Sequence, residues 1–178
     1  MNWVQEIDKI SLDAELLFSE LSGEQLNWKP NPQTWSIAQN LEHLIVVNET
    51  YYPVLSALKK GAYKKPFLAN FSFIVSFFGK IVLNAVNPDR KKKMKTFSIW
   101  EPGQSSAGND IVSRFKKHQS ELQKQLNDAK ELLNNRIVIS SPANKNIVYR
   151  LEMAFDIIIT HEQRHLEQAK EILKELKK

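Results

Sequence analysis

Apolar side chains recur along this chain in alternating steps of three and four, the spacing that lines one face of an α-helix. The first block passes through Trp3, Ile7, Ile10, Ala14, Leu17 and Leu21, with Gly23 just beyond as a stop signal. A turn-rich connection follows over 28–35, broken by Pro30 and Pro32. The second block opens at Ser36, which reads with Gln39 as a capping box. It continues through Ile37, Leu41, Leu44, Asn48, Tyr51, Leu55 and Leu58 to Gly61. The third starts after Gly108, with Asn109 or Asp110 as its cap. It carries Ile111, Phe115, His118, Leu122, Leu126, Ala129 and Leu133 on one face and ends at Asn134 and Asn135. Residues 137–139 have extended character and 142–146 read as a turn. The fourth block runs from about Ile147 nearly to the end, through Leu151, Ala154, Ile158, His161, His165, Gln168 and Ile172.

A long connection, 62–109, separates the second and third blocks and holds one segment, 71–83, that is apolar almost all round. A bilayer span needs ~20 apolar residues, and Asn70, Lys80 and Asn84 interrupt this one. It is expected to be a short helix packed over the other helices or against a second copy of the chain, with no membrane span. The whole pattern predicts an all-α fold. It is a four-helix bundle over residues 1–178, one domain, whose connection between helices 2 and 3 contains an extra short apolar helix. A connection of that length lets the second and third helices run the same way.

Two of the inward positions in the fourth block are histidines. His161 and His165 stand where the pattern asks for Leu or Ile, and a buried imidazole is costly unless its nitrogens find partners. Two imidazoles one helical turn apart can share a borderline-soft divalent metal. They can equally be core-edge histidines bonded to carbonyls. His161-Glu162-Gln163-Arg164-His165 also spells H-E-x-x-H, the zinc protease pattern with Glu162 as general base. The continuation argues against that reading, because Gln168 and Glu171 stand where a glycine and a third histidine would fall. A third ligand is available upstream in His43, which flanks the stripe of the second block. Three imidazoles leave coordination positions open, as catalytic sites do. His118 can line a pocket or add a fourth ligand, but on the apolar stripe it reads better as a core-edge histidine. Trp35 and Trp100 can wall a pocket or serve as ordinary anchors.

Composition narrows this further. There is no cysteine, so neither a disulfide framework nor a thiolate metal site exists in the chain. Met1-Asn2-Trp3-Val4-Gln5-Glu6 places an acid where a signal peptide needs an apolar run, so a cytoplasmic location is expected. The net charge of +5 is concentrated at residues 90–95 and near Lys178. A solvated loop and tail explain that better than a contact with phosphate or an acidic ligand. No aromatic residues interleave the basic run, so no nucleic-acid partner is expected.

Several of these residues together resemble the DinB-like superfamily. Trp35-Ser36-Ile37, then Leu41-Glu42-His43-Leu44 with Glu49 after it, is similar to the superfamily's second-helix signature. Lys95-Thr96-Phe97 through Pro102 resembles its middle loop, 115–122 its third helix, and His161-x-x-x-His165-Leu166 its fourth-helix ending. The resemblance implies a four-helix bundle, often a homodimer, with one divalent metal, zinc or nickel, held by His43, His161 and His165. It also implies a small-molecule substrate and, in some relatives, transfer of a low-molecular-weight thiol such as bacillithiol. The chain departs from the pattern in its insert at 71–83 and in Phe97, where a proline is common.

Overall fold

The computed structural model describes residues 1–89, 96–102, 108 and 110–178. The basic run at 90–95, the candidate cap Asn109 and Gly103, which with Glu101 and Pro102 spells a turn signal, lie outside the described residues. In chain order the helices are α1 (Trp3–Phe18), α2 (Gly23–Asn27), α3 (Ile37–Glu49), α4 (Tyr52–Lys59), α5 (Ser72–Ala85), α6 (Ile111–Asp128), α7 (Lys130–Leu133) and α8 (Leu151–Leu176). Short 3-10 turns stand at Phe67–Asn70 and Ser98–Trp100, and strands β1 (Val138–Ser141) and β2 (Asn144–Arg150) precede α8. Among the described residues no helix is long and apolar enough to cross a membrane.

The long helices α1, α3, α6 and α8 form the bundle, and their polar rims reveal its directions. Trp3 meets Asp156, Glu6 meets Gln163 and Asp13 meets Lys170, so α1 and α8 run parallel. Glu42 pairs with Arg114 and Asn48 with His118, so α3 and α6 run parallel too, as the long connection between them predicts. Glu15 with Lys116 and Asp8 with Gln123 set α1 against α6. Asn40 with His165, and Tyr51 with Tyr149 at the entry to α8, set α3 against α8. Ile7, Ile10, Ala14 and Phe18 bury the inner face of α1; Leu17, expected there, is turned outward and Phe18 takes its place. Ile37, Leu41, Leu44, Phe115, Leu122, Phe155 and Ile158 complete the centre.

Element boundaries depart from the periodic pattern where local chemistry overrides it. The first block ends at Phe18, and Gly23 opens the five-residue α2 under a capping box made by Ser22 and Gln25. The second block is two helices, because Pro53 lacks an N–H and its ring crowds the carbonyl one turn earlier; the chain breaks at Thr50–Tyr51 and restarts with Pro53 in the first turn of α4. The third block ends at Asp128, with the single turn α7 after it. Ile147 to Arg150, read as the start of the fourth helix, belong instead to β2, where Val148, Tyr149 and Arg150 pair with β1 in an antiparallel hairpin, Ile139 opposite Tyr149. Val148 and Tyr149 are buried there, and β-branched and aromatic side chains suit such a half-covered ribbon. An otherwise all-helical fold therefore carries one small two-stranded sheet.

The apolar segment is a helix, α5, lying on β2 and α8. Gly79 allows that approach: a Cβ there would meet Met153 Cγ at 3.0 Å and Tyr149 Cβ at 3.4 Å. The Arg164 guanidinium donates to the carbonyls of Ala85, 3.3 Å, and Asn87, 2.9 Å, and so satisfies acceptors left open at the end of α5. Packing over the other helices holds for one face of the segment. Val75 and Gly79 are buried, while Phe73, Phe77 and Ile81 face outward.

The capping box of α3 is formed as the sequence predicts, with Ser36 Oγ accepting from Gln39 N at 3.1 Å and Gln39 Oε1 accepting from Ser36 N at 3.2 Å. Ser36→Ala should therefore destabilise the protein by about 1 kcal/mol, read as a lower urea midpoint at unchanged slope. An unchanged midpoint would mean that the cap contributes nothing to α3.

Candidate metal centre

α3 and α8 run antiparallel, and their facing surfaces bring His43 of one against His161 and His165 of the other. The rings pack edge to face, with centroids 4.6 Å apart for His43 and His165, 5.1 Å for His43 and His161, and 4.5 Å for His161 and His165. One ring nitrogen from each lies within 4.8 Å of the others, a group able to hold a metal ion.

The outer nitrogens explain which atoms converge. His43 Nδ1 lies 2.6 Å from the Trp100 carbonyl. A carbonyl only accepts, so Nδ1 carries the proton and Nε2 keeps its lone pair. His165 Nδ1 lies 2.8 Å from Asn40 Oδ1. The Asn40 amide is oriented by its other end, where Nδ2 donates to the Ser36 carbonyl at 2.9 Å, so Oδ1 is the acceptor and His165 the donor. Hydrogen bonding the outer ring nitrogen to a carbonyl or amide oxygen is how metal-ligating histidines are held in one tautomer and one orientation. The Nε2 atoms of His43 and His161 stand 3.3 Å apart. Two ligands at tetrahedral angles about 2.0–2.1 Å from a zinc ion are separated by about 3.4 Å. The donor set therefore fits a divalent ion in spacing and chemistry, and the tautomers of His43 and His165 suit it.

Burial favours the neutral rings that ligation requires. It lowers His43 to about 4 against a raising effect from the Trp100 carbonyl. It also lowers His161 and His165, with the neighbouring histidines and the Arg164 guanidinium acting in the same direction. Trp35 covers the group from one side, stacked on His165 with ring centroids 5.6 Å apart and tilted over His43 at 4.8 Å. Trp100 contributes its backbone carbonyl, while its ring packs on Phe97.

Glu162 and His118 belong to a different cluster. Asn48 Nδ2 donates to Glu162 Oε1 at 2.7 Å and to His118 Nε2 at 3.2 Å, between α3, α6 and α8. Glu162 is fully buried, and that burial pushes its carboxyl up to about 7, against the lowering influence of the Gln119 and Asn48 amides. His118, held near about 4 by burial, also approaches the Tyr52 hydroxyl at 3.4 Å. Neither residue joins the metal-capable group, so His118 is a core-edge histidine here. Glu162 lacks the placement that the H-E-x-x-H pattern asks of a base.

Sequence reasoning missed Asn40 and the Trp100 carbonyl. Asn40 left a faint signal, an amide one turn before His43 among the mainly apolar inward positions of its helix. The carbonyl left none, since every residue carries one.

Residues 13–169 match the sequence model of the DinB superfamily. A relative in Bacillus subtilis (strain 168), carrying the name "Uncharacterized protein YuaE", is 28% identical over 173 residues, covering 89% of each chain. Among solved structures, YfiT from Bacillus subtilis superposes with a TM-score of 0.62 at 12% identity, covering 98% of this chain and 86% of that one. That protein is described as a probable metal-dependent hydrolase with an unusual four-helix bundle topology. At such identity the likeness is one of fold.

The lowered histidine pKa values set a pH dependence of stability in metal-free protein. Above the ordinary value of 6.5 all four rings are neutral, folded or unfolded. Below it the unfolded chain takes up protons that the folded chain refuses, so stability falls as the pH drops from 6.5 towards about 4. Glu162 works oppositely between 4.5 and about 7, where the folded chain holds a proton the unfolded chain has lost. Four groups outweigh one, each at most about 1.4 kcal/mol per pH unit. The melting temperature of chelator-treated protein should therefore be lower at about pH 5 than at about pH 6.5. An equal or higher value would show that the rings are solvated.

Proposed function

Since the chain belongs to the DinB superfamily, we propose that it is a metal-dependent enzyme acting on a small molecule. His43, His161 and His165 are the ligands of one divalent ion, zinc or nickel, and the reaction is transfer of a small thiol, such as bacillithiol, to an electrophile. The observation that carries this reading is the convergence of three ring nitrogens while the outer nitrogens of His43 and His165 are committed to Trp100 and Asn40. When bound, the ion supplies a positive charge that three neutral ligands leave largely uncompensated, so a thiol sulfur beside it ionises near neutral pH.

The chain's own residues do the rest. Asn40 and the Trp100 carbonyl orient two of the rings. Burial keeps all three unprotonated at neutral pH, so their nitrogens remain available. Trp35 excludes water from one side of the group and so strengthens electrostatic contacts inside it. The nucleophile comes from outside, because the chain has no cysteine. The reaction forms one carbon–sulfur bond; the thiol proton passes to solvent, and the leaving group departs with its bonding pair. A homodimer is part of the same proposal and rests on the superfamily resemblance. Light scattering in solution tests the dimer.

Protein purified without chelator should contain one equivalent of metal by elemental analysis, and His43→Ala, His161→Ala or His165→Ala should each lose it. Full occupancy in His43→Ala would remove that residue from the site. Asn40→Ala should weaken metal affinity by about 10- to 100-fold, measured by competition with a chromophoric chelator. Metal-loaded protein should accelerate the reaction of bacillithiol or glutathione with a generic electrophile, and the acceleration should vanish in His161→Ala. Glu162→Gln should retain both metal and rate, whereas an H-E-x-x-H protease would be inactivated by it. Ester or amide hydrolysis without thiol acceleration would replace thiol transfer with the activity described for YfiT. No acceleration of either kind would leave a metal-binding bundle without catalysis.

A further inference from the structure

Among the described residues, most of the exposed aromatic side chains gather on the outward face of α5 and the turn before it. Phe73, Phe77 and Ile81 follow one another at steps of four along it, opposite the buried Val75 and Gly79. Phe67 and Phe71 of the preceding turn extend the same apolar surface, with ring centroids 5.7 Å apart for Phe67 and Phe71 and 6.5 Å for Phe71 and Phe73. Exposure of the largest three is 75% for Phe67, 71% for Phe73 and 59% for Phe77. A contiguous aromatic surface of this kind is unfavourable in water and marks a contact site.

Charge along this stretch of the chain has one sign. No aspartate or glutamate occurs between Glu49 and Asp89, while Lys59, Lys60, Lys64, Lys65 and Lys80 all do. Lys64 and Lys65, just before the turn, and Lys80, beside Ile81 on the helix, are exposed. A two-fold contact between copies of the chain would set this patch against itself and bring its lysines together, with no acid in the same stretch of chain to answer them. A surface that is negative outside and apolar beneath answers both features. Phenylalanines enter the boundary between headgroups and acyl chains, and lysines keep their ammonium groups among the anionic headgroups.

We propose that the outer face of α5, with the turn at Phe67–Asn70, attaches the protein to the surface of an anionic lipid bilayer. The helix lies in the interface and does not cross it. Its inner face stays on β2 and α8, and the Arg164 contacts to Ala85 and Asn87 keep it fastened to the bundle.

The full-length protein is sedimented with vesicles of phosphatidylcholine alone and with vesicles containing phosphatidylglycerol. It should bind the anionic vesicles, bind the neutral ones far less, and release as salt is raised past the range where charge is screened. Phe73→Ser/Phe77→Ser should weaken anionic binding by about tenfold or more, with an unchanged far-ultraviolet circular dichroism spectrum because both side chains are exposed. Lys64→Glu/Lys65→Glu/Lys80→Glu should abolish the preference for anionic lipid. Absence of binding to anionic vesicles overturns the proposal, as does binding indifferent to the phenylalanine variant. So does a dimer in lipid-free solution that dissociates in that variant, which would assign the face to a second copy. Capture of an acidic protein partner through the same residues, without vesicle binding, would also overturn it.

Discussion

Two imidazole nitrogens held 3.3 Å apart repel each other when both present lone pairs, and only a proton or a cation between them reverses the sign. At His43 and His165 the protein fixes which nitrogen carries the proton, while at His161 a proton on Nε2 relieves the repulsion as a hydrogen bond to His43 Nε2 and a metal ion does so by taking both lone pairs. The Trp100 carbonyl takes the outer proton of His43, and the Asn40 amide, itself fixed by the Ser36 carbonyl, takes that of His165. Burial then disfavours the alternative of simply protonating the cluster. The same Ser36 caps α3 through its side chain. The start of the helix and the orientation of a ring on the facing helix are thus settled by one residue.

α8 serves two buried polar clusters at once, with the histidines on one side and Glu162 on another. The carboxyl of Glu162 and the ring of His118 meet through Asn48, and the cluster joins α3, α6 and α8 by directed bonds in an otherwise apolar centre. Such groups are costly if left unpaired, so they penalise any sliding of the helices relative to one another. The spacing of the histidine group benefits, because sliding α8 along α3 would separate its nitrogens. Arg164, between Glu162 and His165 in sequence, reaches outward to α5 and ties the added helix to the same stretch.

The parallel pairs α1 with α8 and α3 with α6 follow from where the long connections lie. The segment between α4 and α6 returns the chain to the end of the bundle at which α3 began, and on the way it supplies both α5 and the Trp100 carbonyl. Its phenylalanine 97, unusual for the superfamily pattern, packs against the Trp100 ring. The middle loop thus helps place the acceptor that orients the His43 ring.

Local periodicity in the sequence determined the long helices, the capping box at Ser36 and Gln39, and the one-turn spacing of His161 and His165, because each depends on residues within a few positions of one another. The break before Pro53 was also local, and the chemistry of that proline outweighed an unbroken apolar stripe. The hairpin that displaced the start of the fourth helix was weakly marked, since Ile147, Val148 and Tyr149 suit a buried helix turn and a strand equally until β1 pairs with them. Tertiary structure alone decided that His43 meets residues 118 and 122 positions away in sequence, that Glu162 turns from the histidines to Asn48, and that one face of α5 remains uncovered. Those outcomes depend on how helices pack across the bundle. Every backbone carries the same carbonyl that Trp100 offers to His43, so only the path of the chain could select it.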